Sequence, residues 1–92
     1  MQTACRSVEI TNQRGLHARA SAKFVAAVAK LPEGTTVTVS KEGMEAVGGS
    51  ILGLMMLGAA KGDTIEVSVT GHDAETLLTK LVGLVMDGFG ED

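Results

Sequence analysis

Val8 and Ile10 alternate with Ser7, Glu9 and Thr11, the two-residue period of a strand that buries one face. The polar stretch Asn12-Gln13-Arg14-Gly15 ends it. The period then lengthens. Leu16, Ala20, Phe24, Ala27, Val28 and Leu31 recur at spacings of three and four, which predicts a helix stopped by Pro32-Glu33-Gly34. Val37 and Val39 alternate with Thr36, Thr38 and Ser40 in a second strand, and Lys41-Glu42-Gly43 reads as a hairpin turn into a short third strand, Met44 to Val47. Gly48-Gly49-Ser50 opens a short helix from Ile51 to about Gly58. Lys61-Gly62-Asp63 turns the chain into a fourth strand, with Ile65, Val67 and Val69 facing inward. Ala74, Leu77, Leu78, Leu81, Leu84 and Val85 form the apolar stripe of a last helix ending near Gly88.

The resulting order is β-α-β-β-α-β-α. Few, short strands with one apolar face predict a four-stranded sheet with the three helices on one side, an α+β two-layer sandwich. A ferredoxin-like arrangement has a similar order, and spacing alone leaves it open. Ninety-two residues suit a single domain spanning the whole chain, 1–92. A domain of this size buries only roughly 60–65% of the surface its unfolded chain exposes. Most apolar side chains are then committed to a thin core, and chemistry is expected at the surface on few residues.

Composition removes several function classes. Eight basic and eleven acidic residues give a net charge of −3, with Lys and Arg scattered, so no electrostatic footprint for nucleic acid is present. The aromatics are Phe24 and Phe89 alone, which leaves no platform for stacking bases. Cys5 has no second cysteine to pair with, which points to a reducing compartment, and it reads as a minor packing residue near a terminus. Two histidines and one cysteine show no metal-ligand spacing, and no cofactor motif is visible. The uncharged run from Ala46 to Ala60 contains Gly and Ser and falls short of the ~20 residues of a membrane span. The expectation is a soluble, cytoplasmic monomer with no nucleic-acid or membrane partner.

Candidate chemistry centres first on Gly15-Leu16-His17-Ala18-Arg19. His17 stands where a loop enters the first helix, beside N–H groups without helical partners. Those donors and the helix dipole favour an anion there, disfavour imidazolium, and so hold the ring neutral and nucleophilic. Arg19 can reach an anion on that ring. The plainer reading makes His17 a cap-region residue and Arg19 a solvated charge. Ser50 is first an N-cap for the second helix, accepting from the N–H of Leu52 or Gly53. In that helix Ile51, Leu54 and Leu57 can face the sheet, which leaves Leu52, Met55 and Met56 pointing elsewhere. A second apolar face on a helix of so small a domain reads as a docking surface, and Met makes it adaptable. The plainer reading is overflow from a small core. His72-Asp73-Ala74-Glu75 looks like a helix start, with no chemistry assigned to His72.

Gly15-Leu16-His17-Ala18-Arg19 closely resembles the phosphorylation site of the histidine-containing phosphocarrier protein HPr family of the bacterial phosphoenolpyruvate-dependent phosphotransferase system. Ala26-Ala27-Val28-Ala29 after Phe24-Val25, the Gly43 hairpin, Ser50 before a short apolar helix and the final amphipathic helix sit at matching spacings, so the likeness runs from about Val8 to Met86. The resemblance implies an HPr-like, open-faced β-sandwich. It implies a phosphohistidine at His17, on Nδ1, with Arg19 stabilising the phosphate. Enzyme I is the implied donor and an enzyme IIA-type protein the implied acceptor. The chain would be a carrier and not an enzyme with a turnover of its own. Ser50 matches the regulatory site of an HPr kinase/phosphorylase found in some bacterial groups. Ile51, Leu52, Met55 and Met56 lie on the implied partner surface. One departure stands out: the family usually has proline after the motif's arginine, and Ala20 occupies that place, loosening the helix start while supplying the best helix former. Ala20 and the run Ile51 to Leu57 do not look like the best-known sugar carriers, which brings a nitrogen-related regulatory branch into view beside sugar uptake. The alternative of another class is a small regulatory module that binds proteins through the Leu/Met surface, with His17 incidental.

Overall fold

The computed structural model describes residues 1–91. Strand β1 spans Gln2–Glu9, helix α1 Ala18–Ala29, β2 Thr36–Lys41, β3 Met44–Val47, α2 Ile51–Met56, β4 Thr64–Gly71 and α3 Ala74–Met86, followed by a 3-10 turn at Gly88–Gly90. The strands form one antiparallel sheet in the order β1-β4-β2-β3. A ferredoxin-like sheet sets its first and third strands side by side in the middle, whereas here they are the two edges. This is the open-faced arrangement that the resemblance implies, and it settles what the element order left open.

Alternation decides which face is covered. On β4, Ile65, Val67 and Val69 are buried, while Thr64 and Glu66 are exposed and Ser68 and Thr70 half-buried. Registered against them on the same face are Ala4 and Val8 of β1 and Val37 and Val39 of β2. Helix α3 packs on β1 and β4 through Leu77, Leu78, Leu81 and Val85, and α1 packs on α2 and α3 through Ala20 and Phe24. Each such full burial of a large apolar side chain stabilises by roughly 1.5–3 kcal/mol. No helix among the described residues is long and apolar enough to cross a membrane.

Several expected boundaries shift. β1 begins at Gln2, earlier than the Val8/Ile10 alternation, and Ile10 lies beyond its end yet is wholly buried. Leu16 lies before α1, not in it, and Leu31 after it; α2 stops at Met56. Ile51 does not face the sheet: it is 41% exposed, because Leu54 and Leu57 alone fill the inner side of so short a helix. Cys5 is exposed on the open face of the sheet, its thiol 3.3 Å from the Ser68 hydroxyl, and so is not a packing residue. Asp73 starts α3 with a left-handed backbone and no side-chain cap, so Glu75 is the acidic residue of that first turn.

The neighbouring positions of β1 and β4 position the site. Pairing them carries the β1–α1 loop against the α2–β4 loop, with Ile10 N donating to Asp63 O at 2.8 Å and Gly62 N to Ile10 O at 2.8 Å. Leu16 N donates to Ala59 O at 2.9 Å, which ties the entrance of α1 to the exit of α2.

Candidate functional site

The loop from Asn12 to His17 turns tightly. Gly15 has φ +64, and a Cβ there would lie 2.3 Å from Ala59 O, so the close approach to the α2–β4 loop requires glycine. His17 follows in extended conformation as the N-cap of α1. The first intrahelical bond is Ser21 N to His17 O at 2.9 Å, so the N–H groups before Ser21 point out of the helix end. One of them, Arg19 N–H, donates to His17 Nδ1 at 3.3 Å.

The other ring nitrogen has a partner that the sequence pattern did not point to. His17 Nε2 lies 2.9 Å from Oε2 of Glu91, with both side chains largely covered. A carboxylate only accepts, so Nε2 carries the proton; Nδ1 receives an N–H and therefore presents a lone pair. The ring is thus held in the tautomer whose nucleophilic nitrogen is Nδ1, at the positive end of α1. Burial works against ionising Glu91, but hydrogen bonds from Asn12 and His17 and the positive charge of Lys23 outweigh it and hold its carboxyl below the ordinary value. A depressed carboxyl pKa means the contact is complete above the usual carboxyl range and is lost as pH falls through the lowered value.

Around the ring an open depression of about 600 Å³ is lined by Gln13, Arg14, His17, Arg19, Lys23, Gly90 and Glu91. Three basic side chains beside helix N–H groups make it an anion-receiving surface. Arg19 lines the same depression as His17. Arg14, Lys23, Asn12 and Glu91 were not anticipated. Asn12 is 1% exposed, and its Nδ2 donates to Gly15 O at 2.8 Å and to Glu91 Oε1 at 3.1 Å. Phe89, one of two aromatics in the chain, was the available signal that the end of the chain is anchored. It is 1% exposed and has φ +59, a strained conformation for a non-glycine residue that costs about 1–3 kcal/mol.

Ser50 caps α2, its Oγ accepting from Gly53 N at 3.0 Å, and is half-buried. Leu52 and Met56 are 67% and 66% exposed, and Ile51 and Met55 about 40%. Val47, the last residue of β3, is also exposed, and its carbonyl accepts from Ser50 N. Because α2 packs on α1, the exposed face of α2 flanks the helix that His17 opens.

A family model described as the PTS HPr component phosphorylation site matches residues 4–87. A phosphocarrier protein HPr of Neisseria meningitidis is 43% identical over 94% of each chain. The phosphocarrier protein NPr of Escherichia coli is 40% identical over 98% of this chain and 99% of its own. The crystal structure of HPr-C-His from Thermoanaerobacter tengcongensis superposes with a TM-score of 0.86 at 35% identity, over 100% of this chain and 99% of that one.

Proposed function

This chain belongs to the HPr family of phosphocarrier proteins of the phosphotransferase system, and on that premise we propose that His17 is the residue that carries the phosphoryl group, on Nδ1. The observation that carries this reading is the pair of hydrogen bonds on the His17 ring, which together select the Nε2–H tautomer. Nδ1 accepts from Arg19 N–H at the N-terminus of α1, Nε2 faces Glu91, and the ring lines a basic depression. The donor is phospho-enzyme I and the acceptor an enzyme IIA-type protein. The transfer is attack by the Nδ1 lone pair on the donor's phosphorus, in line with the breaking N–P bond. Arg19 and the first-turn N–H groups receive the charge of the transferring group. The chain acts as a carrier in the cytoplasm, not as a catalyst with its own turnover. Incubation with phosphoenolpyruvate and enzyme I should add one acid-labile phosphate; none would be added if the chain were only a protein-binding module.

The exposed face of α2 is proposed as the surface on which donor and acceptor dock in turn. Leu52→Glu should leave the melting temperature nearly unchanged, since the side chain is 67% exposed. It should weaken binding to enzyme I by tenfold or more, the equivalent of about 1.4 kcal/mol, because a charge in a desolvated apolar contact is unfavourable. Titration calorimetry against enzyme I and a thermal melt check both halves. An unfolded variant would make Leu52 a core residue and remove the docking surface.

Ser50 is proposed as a regulatory phosphorylation site for an ATP-dependent HPr kinase/phosphorylase. A phosphate there adds about −1.5 to −2 charges, which the N-terminus of α2 accommodates and a docking apolar partner does not. Ser50→Asp should therefore slow enzyme I-dependent phosphorylation without unfolding the chain. Ser50→Ala should melt earlier by roughly 4–8 °C, the loss of a cap worth about 1 kcal/mol, yet accept phosphate normally. Equal transfer rates for both variants and the parent would leave Ser50 a cap alone.

A further inference from the structure

The segment from Gly88 to Glu91 is held by several independent contacts. Phe89 is sunk in the core with a left-handed backbone, and Lys23 Nζ donates to its carbonyl at 2.7 Å. Gly88 packs on Asn12, and Glu91 N donates to Gly88 O at 3.0 Å. Strain of this kind persists where the surroundings over-determine a conformation, and it collects at functional sites. Its effect here is to deliver the Glu91 carboxylate to two places at once. Oε2 meets His17 Nε2 at 2.9 Å and Oε1 accepts from Asn12 Nδ2 at 3.1 Å, while the same amide holds the carbonyl of Gly15 at 2.8 Å. One buried amide thus joins the turn that sets His17 to the group that orients its ring.

We infer that Glu91 is the positioning residue of the phosphoryl transfer: it fixes the Nε2–H tautomer and stabilises the positive charge that the His17 ring acquires when Nδ1 is phosphorylated. The inference rests on the reading of His17 as the carrier residue. In the transfer, a bond forms between Nδ1 and phosphorus as the donor imidazole's N–P bond breaks, and that bond's electron pair returns to the donor ring. The donor ring enters with its other nitrogen protonated and leaves neutral. The His17 ring enters neutral with its proton on Nε2 and ends as a phosphoimidazolium, so no proton moves. The new positive charge on the acceptor ring is spread onto Nε2–H, which is the bond that Glu91 accepts, and a charge-assisted bond is stronger than a neutral one. The phosphate grows on the opposite side of the ring from the carboxylate, on the nitrogen beside the α1 N–H groups. Lys23, Arg14 and Arg19, which line the same depression, offset the repulsion between the two anions. Glu91 acts through His17 and does not touch the phosphorus.

The full chain with Glu91→Gln, Glu91→Ala or no change is compared in two measurements. Imidazole 15N spectra of the unphosphorylated protein at neutral pH read the tautomer directly. The parent and Glu91→Gln, whose amide oxygen still accepts from Nε2–H, should show a pyridine-type Nδ1 and a pyrrole-type Nε2. Glu91→Ala should show a mixture of tautomers. Phosphorylation by phosphoenolpyruvate and enzyme I then reads the charge. Both variants should reach a phosphorylated fraction whose equilibrium constant is lower by on the order of tenfold, equivalent to about 1.4 kcal/mol, with Glu91→Gln losing it despite an intact tautomer. An unchanged tautomer in Glu91→Ala, or an unchanged equilibrium in both variants, would overturn the inference. A parent chain that takes up no phosphate on His17 would instead overturn the site reading itself, and the assigned role of Glu91 with it.

Discussion

His17→Ala should accept no acid-labile phosphate from phosphoenolpyruvate and enzyme I, a complete loss and not a slowing. No other imidazole lies in the depression, and the other histidine, His72, is exposed at the start of α3 beside Asp73. The fold should survive. His17 contributes a cap bond to Arg19 N and the contact with Glu91, and loss of an N-cap costs about 0.5–2 kcal/mol. Since 1 kcal/mol is worth roughly 4–8 °C in a domain of this size, a cooperative melt at a moderately lower temperature is expected. Arg19→Ala gives the contrasting result, a slower but measurable transfer, because the N–H groups of α1 stay in place. Acid-labile phosphate on the His17→Ala chain would move the site elsewhere.

Gly15→Ala should be the most damaging single-methyl change in the molecule. The added Cβ would lie 2.3 Å from Ala59 O and 2.8 Å from Ala60 Cα, both backbone atoms that cannot swing aside. The backbone is also at φ +64, which disfavours any residue with a Cβ. Overpacking of roughly 1–3 kcal/mol and a left-handed penalty of about 1–2 kcal/mol predict a loss of roughly 2–5 kcal/mol. A thermal melt should fall by roughly 8–40 °C on the same conversion. Relief of the clash must part the two loops, breaking the Leu16 N to Ala59 O bond and displacing His17, so phosphate acceptance should fall even in folded protein. Gly34→Ala is the matched control, with positive φ but open space around the built Cβ. If both variants melted alike, the approach of the two loops would carry no special weight.

Local pattern was sufficient for most elements, for a reason visible in β4. Its alternation of Ile65, Val67 and Val69 with Glu66, Ser68 and Thr70 depends only on a strand burying one face, and needs no knowledge of neighbours. The same holds for α3, whose stripe from Leu77 to Val85 is a property of helix geometry. Ile51 shows where pattern stops. Three apolar positions at helical spacing were assigned to the inner face, but a helix of only Ile51–Met56 has room for Leu54 within it and Leu57 at its cap, and Ile51 is left to solvent. Where a short helix ends and what lies beneath it are questions of packing.

At the site the division is sharper. Gly15, His17 and Arg19 lie within five residues of one another, so their spacing carried the chemistry and the helix entrance carried the geometry. Ser50 was legible for the same reason, its cap bond to Gly53 N spanning three residues. The residue that selects Nδ1 stands 74 positions from His17 in the chain. Glu91 reaches it because β1 and β4 are neighbours, because α3 returns along them, and because Phe89 is buried and fixes the turn after α3. A run of Gly, Phe and acidic residues has no period and no motif, so nothing local distinguishes Glu91 from a solvated terminal charge. Local spacing alone marks the residues proposed to meet a phosphate. The tautomer of the ring, the basic lining from Arg14 and Lys23, and the carboxylate behind Nε2 came from long-range burial, which acts on the shape of the whole core and leaves no periodic trace along the chain.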